Sequence, residues 1–110
     1  MDQNDDVDLF ELANLFPRTT GLPMTVWVSP RGYAQHDARV KVNTTHGQRA
    51  DIANSAVVGI RPAPRLIEGN LNSADLAAVS EWINRNRDAL IEYWDGNIDT
   101  SELIGRLVKV

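Results

Sequence analysis

Between Leu76 and Tyr93 the residues Leu76, Val79, Ile83, Asn86, Leu90 and Tyr93 recur at intervals of 3, 4, 3, 4 and 3, with Asn86 the one polar member. An α-helix completes a turn every ~3.6 residues, so this series falls on one face. Trp82, Ala89 and Trp94 widen the face into the broad apolar stripe of a helix laid on a sheet. Asn72 or Ser73 suits the N-cap, and Asp75 falls in the first turn, where a carboxylate favours the positive end of the helix dipole. Gly96-Asn97 supplies a stop. The pattern predicts one helix over 73–95, about 34 Å long at ~1.5 Å per residue. Asp99-Thr100-Ser101-Glu102 has the layout of a capping box, opening a short helix through Leu103, Ile104 and Leu107.

A helix with one apolar face needs a surface to cover, and the segment before it supplies one. Met24-Thr25-Val26-Trp27-Val28 suits a pleated strand, with Met24, Val26 and Val28 on one side and Trp27 on the other. Pro30-Arg31-Gly32 signals a turn. In Ala38-Arg39-Val40-Lys41-Val42-Asn43 the alternation sends Ala38, Val40 and Val42 inward and Arg39, Lys41 and Asn43 outward. His46-Gly47-Gln48 supplies the next turn, Ala56 to Ile60 a third strand, and Pro62 and Pro64 block its continuation. A fourth extended piece, Arg65 to Glu68, precedes Gly69. Upstream, Leu9, Leu12, Ala13 and Phe16 have helical spacing, which predicts a short helix over Val7 to Phe16, capped by Asp5 or Asp6 and ended by Pro17. Arg18 to Pro23 reads as a linker.

These elements predict one α+β domain over 1–110. Residues 1–23 form an acidic helix and linker, 24–68 a three- to four-stranded antiparallel β-meander, and 69–110 the helical part, with one long helix and short terminal helices. A chain of this length buries roughly two thirds of its unfolded surface, enough for one core. With no cysteine, disulfides, thiolate zinc sites and cysteine nucleophiles are excluded. The acidic start lacks the basic-then-apolar pattern of a signal peptide, and no apolar run approaches the roughly 18 residues of a membrane span. The expectation is a soluble, cytoplasmic protein with no membrane partner.

Charge is unevenly distributed. Asp2, Asp5, Asp6, Asp8 and Glu11 precede any base. Residues 18–65 then carry seven bases (Arg18, Arg31, Arg39, Lys41, Arg49, Arg61, Arg65) against two acids, Asp37 and Asp51. The last 45 residues are acidic again, so the total of −4 hides a basic middle. Regular alternation puts Trp27, Arg39 and Lys41 on the sheet face away from the main core, a patch that stacks a base or binds an acidic partner, or that the chain's own acidic segment covers. The negative total speaks against strong non-specific nucleic-acid binding.

Chemistry is thinly signalled. His36-Asp37, with His46 further on, is the first place to look for a general base or metal ligand. No metal-ligand spacing supports it, no nucleophile elbow marks Ser29, Ser55 or Ser80, and the seven glycines are too scattered to cradle a phosphate. No cofactor and no metal is expected. Trp82 and Trp94, twelve residues apart, differ by about 120° in helical phase and do not form a ligand cage.

Arg65-Leu66-Ile67-Glu68-Gly69-Asn70-Leu71, followed by Val79, Trp82-Ile83, Asn86-Arg87, Leu90-Ile91 and Trp94, resembles the bacterial domain-of-unknown-function family forty-one-sixty over about residues 24–95. Its members pair a short meander and an E-G-x-L element with a helix carrying two tryptophans. They also carry a His-x-His on one strand, where this chain reads Ala34-Gln35-His36-Asp37-Ala38-Arg39-Val40 with a single histidine. The resemblance implies a partner protein, in a two-gene arrangement of toxin–antitoxin-like, defence or phage-related kind, and no known reaction.

The reading is a small non-catalytic protein-interaction module acting through Trp27, Arg39, Lys41 and Arg61 with the acidic Asp5, Asp6, Asp8 and Glu11. An acidic inhibitor or nucleic-acid mimic falls in the same class. The alternatives are a nucleic-acid-binding module using the basic sheet face and a small enzyme using His36 and Asp37. The sequence leaves oligomeric state open.

Overall fold

The computed structural model describes residues 12–47 and 51–110. Five strands form one antiparallel sheet in sequential order: β1 (Ala13–Leu15), β2 (Met24–Val28), β3 (Arg39–His46), β4 (Ser55–Gly59) and β5 (Arg65–Glu68). Short connections make sequential antiparallel neighbours the simple solution, and every pairing here is of that kind. The helices are α1 (Pro17–Thr20), α2 (Ser73–Arg85), α3 (Arg87–Trp94) and α4 (Thr100–Arg106), with one 3-10 turn at Ile52–Asn54. The α+β class and the meander hold. Among the described residues no helix is long and apolar enough to cross a membrane.

Three expectations are corrected. The first concerns the helix over Val7 to Phe16, whose part before Leu12 lies outside the described residues. In its described part, Ala13, Asn14 and Leu15 form β1, pairing with Val28, Trp27 and Val26. Helical spacing of a few apolar residues is weak evidence beside an open strand edge that needs its N–H and C=O groups paired. Pro17 therefore starts a helix rather than ending one, at the position where its missing N–H costs nothing. The supposed linker holds this single turn, closed by Gly21 at φ 83. Second, the sheet has five strands, not three or four, because β1 joins its edge.

The third correction is the long helix, which breaks in two at Asn86 (φ −117, ψ 15). The backbone ladder is interrupted at the bend, where Asn86 serves both helices: its N–H closes α2 on the Trp82 carbonyl (3.1 Å), and its carbonyl opens α3 by accepting from Leu90 N–H (2.9 Å). The Asn86 side chain does other work. Its Nδ2 donates to the carbonyls of Trp82 (2.9 Å) and Val108 (3.0 Å), and its Oδ1 accepts from Val108 N–H (2.7 Å). An asparagine that binds both groups of a distant backbone unit clamps the C-terminal tail across the helix junction.

The core lies between the sheet and the helices, where Met24, Val26, Val40, Val42 and Val58 meet Val79, Trp82, Ile83, Leu90 and Tyr93, all 2% exposed or less. Asn72 caps α2 by accepting from Asp75 N–H (2.8 Å), and the capping box of α4 is complete: Asp99 accepts from Glu102 N–H and Glu102 from Asp99 N–H. Gly96 provides the left-handed stop after α3 at φ 82. A bulge in β3 extends that strand to His46, and Asn43 Nδ2 bridges it to the Thr45 carbonyl (3.1 Å).

Candidate functional site

Strand register decides what lies on the sheet's second face. Trp27 stands opposite Lys41, Lys41 opposite Val57, and Arg39 opposite Gly59. Since successive side chains alternate, sending Val26, Val40, Val42 and Val58 to the helices leaves Trp27, Arg39, Lys41 and Val57 on the other side. Trp27 and Val57 are nearly buried, at 4% and 5% exposed, yet neither belongs to the cluster under the helices. This face has an apolar strip of its own, flanked by two half-buried cations.

The strip opens into a cavity of about 370 Å3 that extends to the loop joining β2 and β3 and to the end of α3. Its cations are Arg31, Arg39 and Lys41, and its rings are Trp27, His36 and Trp94. The loop is fixed by Arg31 N–H donating to the Trp94 carbonyl and Ala34 N–H to the Arg31 carbonyl, both 2.8 Å. The His36 ring rests near Trp94, with centroids 5.4 Å apart and planes tilted by 31°. Tyr33 stands 88% exposed at the tip of the same loop.

What distinguishes this groove electrostatically is that Arg31, Arg39 and Lys41 gather in it; lacking a carboxylate partner among the described residues is a state they share with Arg18, Arg65, Arg87 and Lys109. Arg61, Arg85 and Arg106 each hold a carboxylate elsewhere: Asp37 (2.9 Å), Glu81 (2.8 Å) and Glu92 (3.0 Å). Arg31, Arg39 and Lys41 pair with no carboxylate within 4.0 Å among the described residues. Arg39 Nε is buried with no hydrogen-bond partner among the described residues. A desolvated guanidinium N–H without an acceptor is costly, and this one belongs to a residue that lines the groove.

The expected site residues divide sharply. Trp27, Arg39 and Lys41 come together in one groove. Arg61 does not join them. Its guanidinium holds both oxygens of Asp37 at 2.9–3.0 Å, and this pairing lowers the Asp37 carboxyl to about 2. His36 is at the groove, but its Nδ1 lies 3.1 Å from the Asp37 backbone carbonyl, while the Asp37 carboxylate is committed to Arg61. The Asp37 carboxylate is thus not the group that orients the His36 ring; the contact at the ring Nδ1 is with the Asp37 backbone carbonyl. Asp5, Asp6, Asp8 and Glu11 lie outside the described residues. No group of three or more His, Cys, Asp or Glu side chains able to hold a metal occurs among the described residues.

His46 is far from this chemistry. Its Nε2 lies 3.0 and 2.9 Å from the two oxygens of Asp75, so the end of β3 is stapled to the first turn of α2. Sequence reasoning placed Asp75 only as a dipole-favouring carboxylate. It also missed Arg31, whose neighbours Pro30 and Gly32 read as a turn and nothing more, and Trp94, which belongs to the helix stripe and reaches the groove from the end of that stripe.

The molecule is thus an α+β meander with helices over one sheet face and a cation–aromatic groove on the other. A family model described as "Domain of unknown function (DUF4160)" matches residues 49–95, the family whose E-G-x-L element and tryptophan helix the chain resembles. No curated protein and no solved structure matches the chain. The matched stretch takes in Ile52 and Trp94 of the groove but begins after Trp27, Arg31, His36, Arg39 and Lys41.

Proposed function

We propose that the protein is a non-catalytic interaction module that holds an acidic segment of a partner protein against Trp27, Arg39 and Lys41. One observation carries this reading: three cations without carboxylate partners among the described residues share a cavity with three aromatic rings. Tryptophan and arginine are over-represented among residues that dominate binding energy, and a partly desolvated cation strengthens an ion pair with an incoming carboxylate. The family resemblance adds a context, a two-gene system of toxin–antitoxin-like, defence or phage-related kind, acting in the cytoplasm. Nucleic acid is the less favoured occupant, because the chain as a whole carries −4.

The test is affinity capture from native lysate with tagged wild type, an Arg39→Glu/Lys41→Glu variant and an Arg85→Glu control on the helix side, each with and without nuclease. A defined protein that survives nuclease, is lost in the double variant and is kept by the control is the expected result. Captured nucleic acid, or a protein released by nuclease, would replace this reading with the basic-face nucleic-acid module. Capture that ignores Arg39 and Lys41 would move the interaction to another surface.

A further inference from the structure

The groove has a chemical counterpart within the same chain. Residues 1–11 carry Asp2, Asp5, Asp6, Asp8 and Glu11 interleaved with Val7, Leu9 and Phe10, and no base. The groove carries Arg31, Arg39 and Lys41 interleaved with Trp27, His36 and Trp94. Connectivity brings the two together. Leu12 lines the cavity, and the next residues, Ala13 and Asn14, pair with Val28 and Trp27. Because β1 and β2 are antiparallel, Leu12, the first described residue, lies at the end of β1 next to the segment Ser29, Pro30 and Arg31, all of which line the cavity. Eleven residues reach at most ~36 Å when fully extended, against a longest molecular extent of 33 Å, so every part of the groove is within range.

We infer that residues 1–11 are the occupant of this groove in the isolated chain, and that a partner's acidic segment binds by displacing them. The inference rests on the groove being a site for an acidic protein segment. A tethered ligand competes at an effective concentration in the millimolar range, so a cis occupant sets a threshold that a partner must exceed. It also offers the half-buried Arg39 and Lys41 local carboxylates when no partner is present.

Because the chain has no cysteine, Asn4→Cys places a single nitroxide label without touching any acid. The expected result in the full-length protein is paramagnetic broadening of the Trp27 indole and of the Arg39 and Lys41 amides, with Arg85 and Glu81 on the helix side unaffected. Adding Asp5→Lys/Asp6→Lys/Asp8→Lys should abolish the broadening. A synthetic peptide of residues 1–11, added in trans, should bind that charge-reversed protein at least about tenfold more tightly than wild type. Uniform or absent broadening, broadening that survives charge reversal, or equal peptide affinity would overturn the inference. So would broadening seen only between molecules in a mixture of labelled and isotopically enriched unlabelled protein, which would make a second copy the occupant. The two readings fail separately. Groove broadening with no captured partner sinks the partner, and a captured partner with no groove broadening sinks the tethered occupant.

Discussion

Asn86 presents a donor and an acceptor together to one backbone unit 22 residues away, a pairing that a side-chain amide supplies at neutral charge. Replacing Asn86 with Ala leaves the Val108 N–H and carbonyl without their partner, while the Trp82 carbonyl keeps the backbone N–H of residue 86; with Val108 itself 51% exposed, the cost should be ~1 kcal/mol. Asn86→Asp keeps the acceptor but turns a carboxylate oxygen toward the carbonyls of Trp82 and Val108, so its loss should be at least as large. Both should appear as lower urea midpoints with an unchanged slope. The tail makes a second demand. Gly21 sits at φ 83, and a Cβ there would strike the Val110 carbonyl, whose residue's N–H donates to the Thr20 carbonyl. Gly21→Ala should cost at least ~1 kcal/mol, measured the same way. Neither role was legible in the sequence. A polar residue in an apolar stripe announces that it is buried, but the partner that satisfies it is a long-range fact.

Local chemistry fixed the caps well, since Asn72 and the Asp99–Glu102 box satisfy N–H groups within three residues of themselves. Asn72→Ala and Asp99→Ala should each lower stability by ~1 kcal/mol, and Asp99→Ala should also lower helical ellipticity by loosening α4. Alternation within β2 and β3 was equally legible, and with it the company of Trp27, Arg39 and Lys41, because a strand's faces follow from its own residues once it pairs regularly. What failed was β1, three residues whose state is set by the neighbouring strand edge rather than by their own spacing. The break between α2 and α3 failed for a related reason: helical periodicity passes through Asn86 unchanged, while the bend there follows from the tail that the side chain grips. Trp94 was assigned to the stripe, correctly, but its reach into the groove depends on the loop that Arg31 ties to its carbonyl.

At the scale of the molecule, one ion pair joins the segment before β3 to the segment before β5. Asp37 is lowered from 3.8 to about 2, first by its hydrogen bonds to Arg61. A carboxyl depressed on folding contributes its stability above its unfolded value, so the contribution is full above pH 3.8 and is lost as the pH falls through about 2. Both partners are exposed, which limits the pair to ~0.2–1 kcal/mol. The stability difference between wild type and Arg61→Gln should therefore be small and constant near neutrality and close toward zero at the acid end of a denaturant series. The groove has a consequence of a different kind. Two of the three indoles in the chain, Trp27 and Trp94, line it, while Trp82 is 0% exposed in the core beneath the helices. Nature has in effect built an emission probe into the cavity wall with an internal reference beside it, so any ligand that enters will change the fluorescence of the first pair and leave the third unchanged.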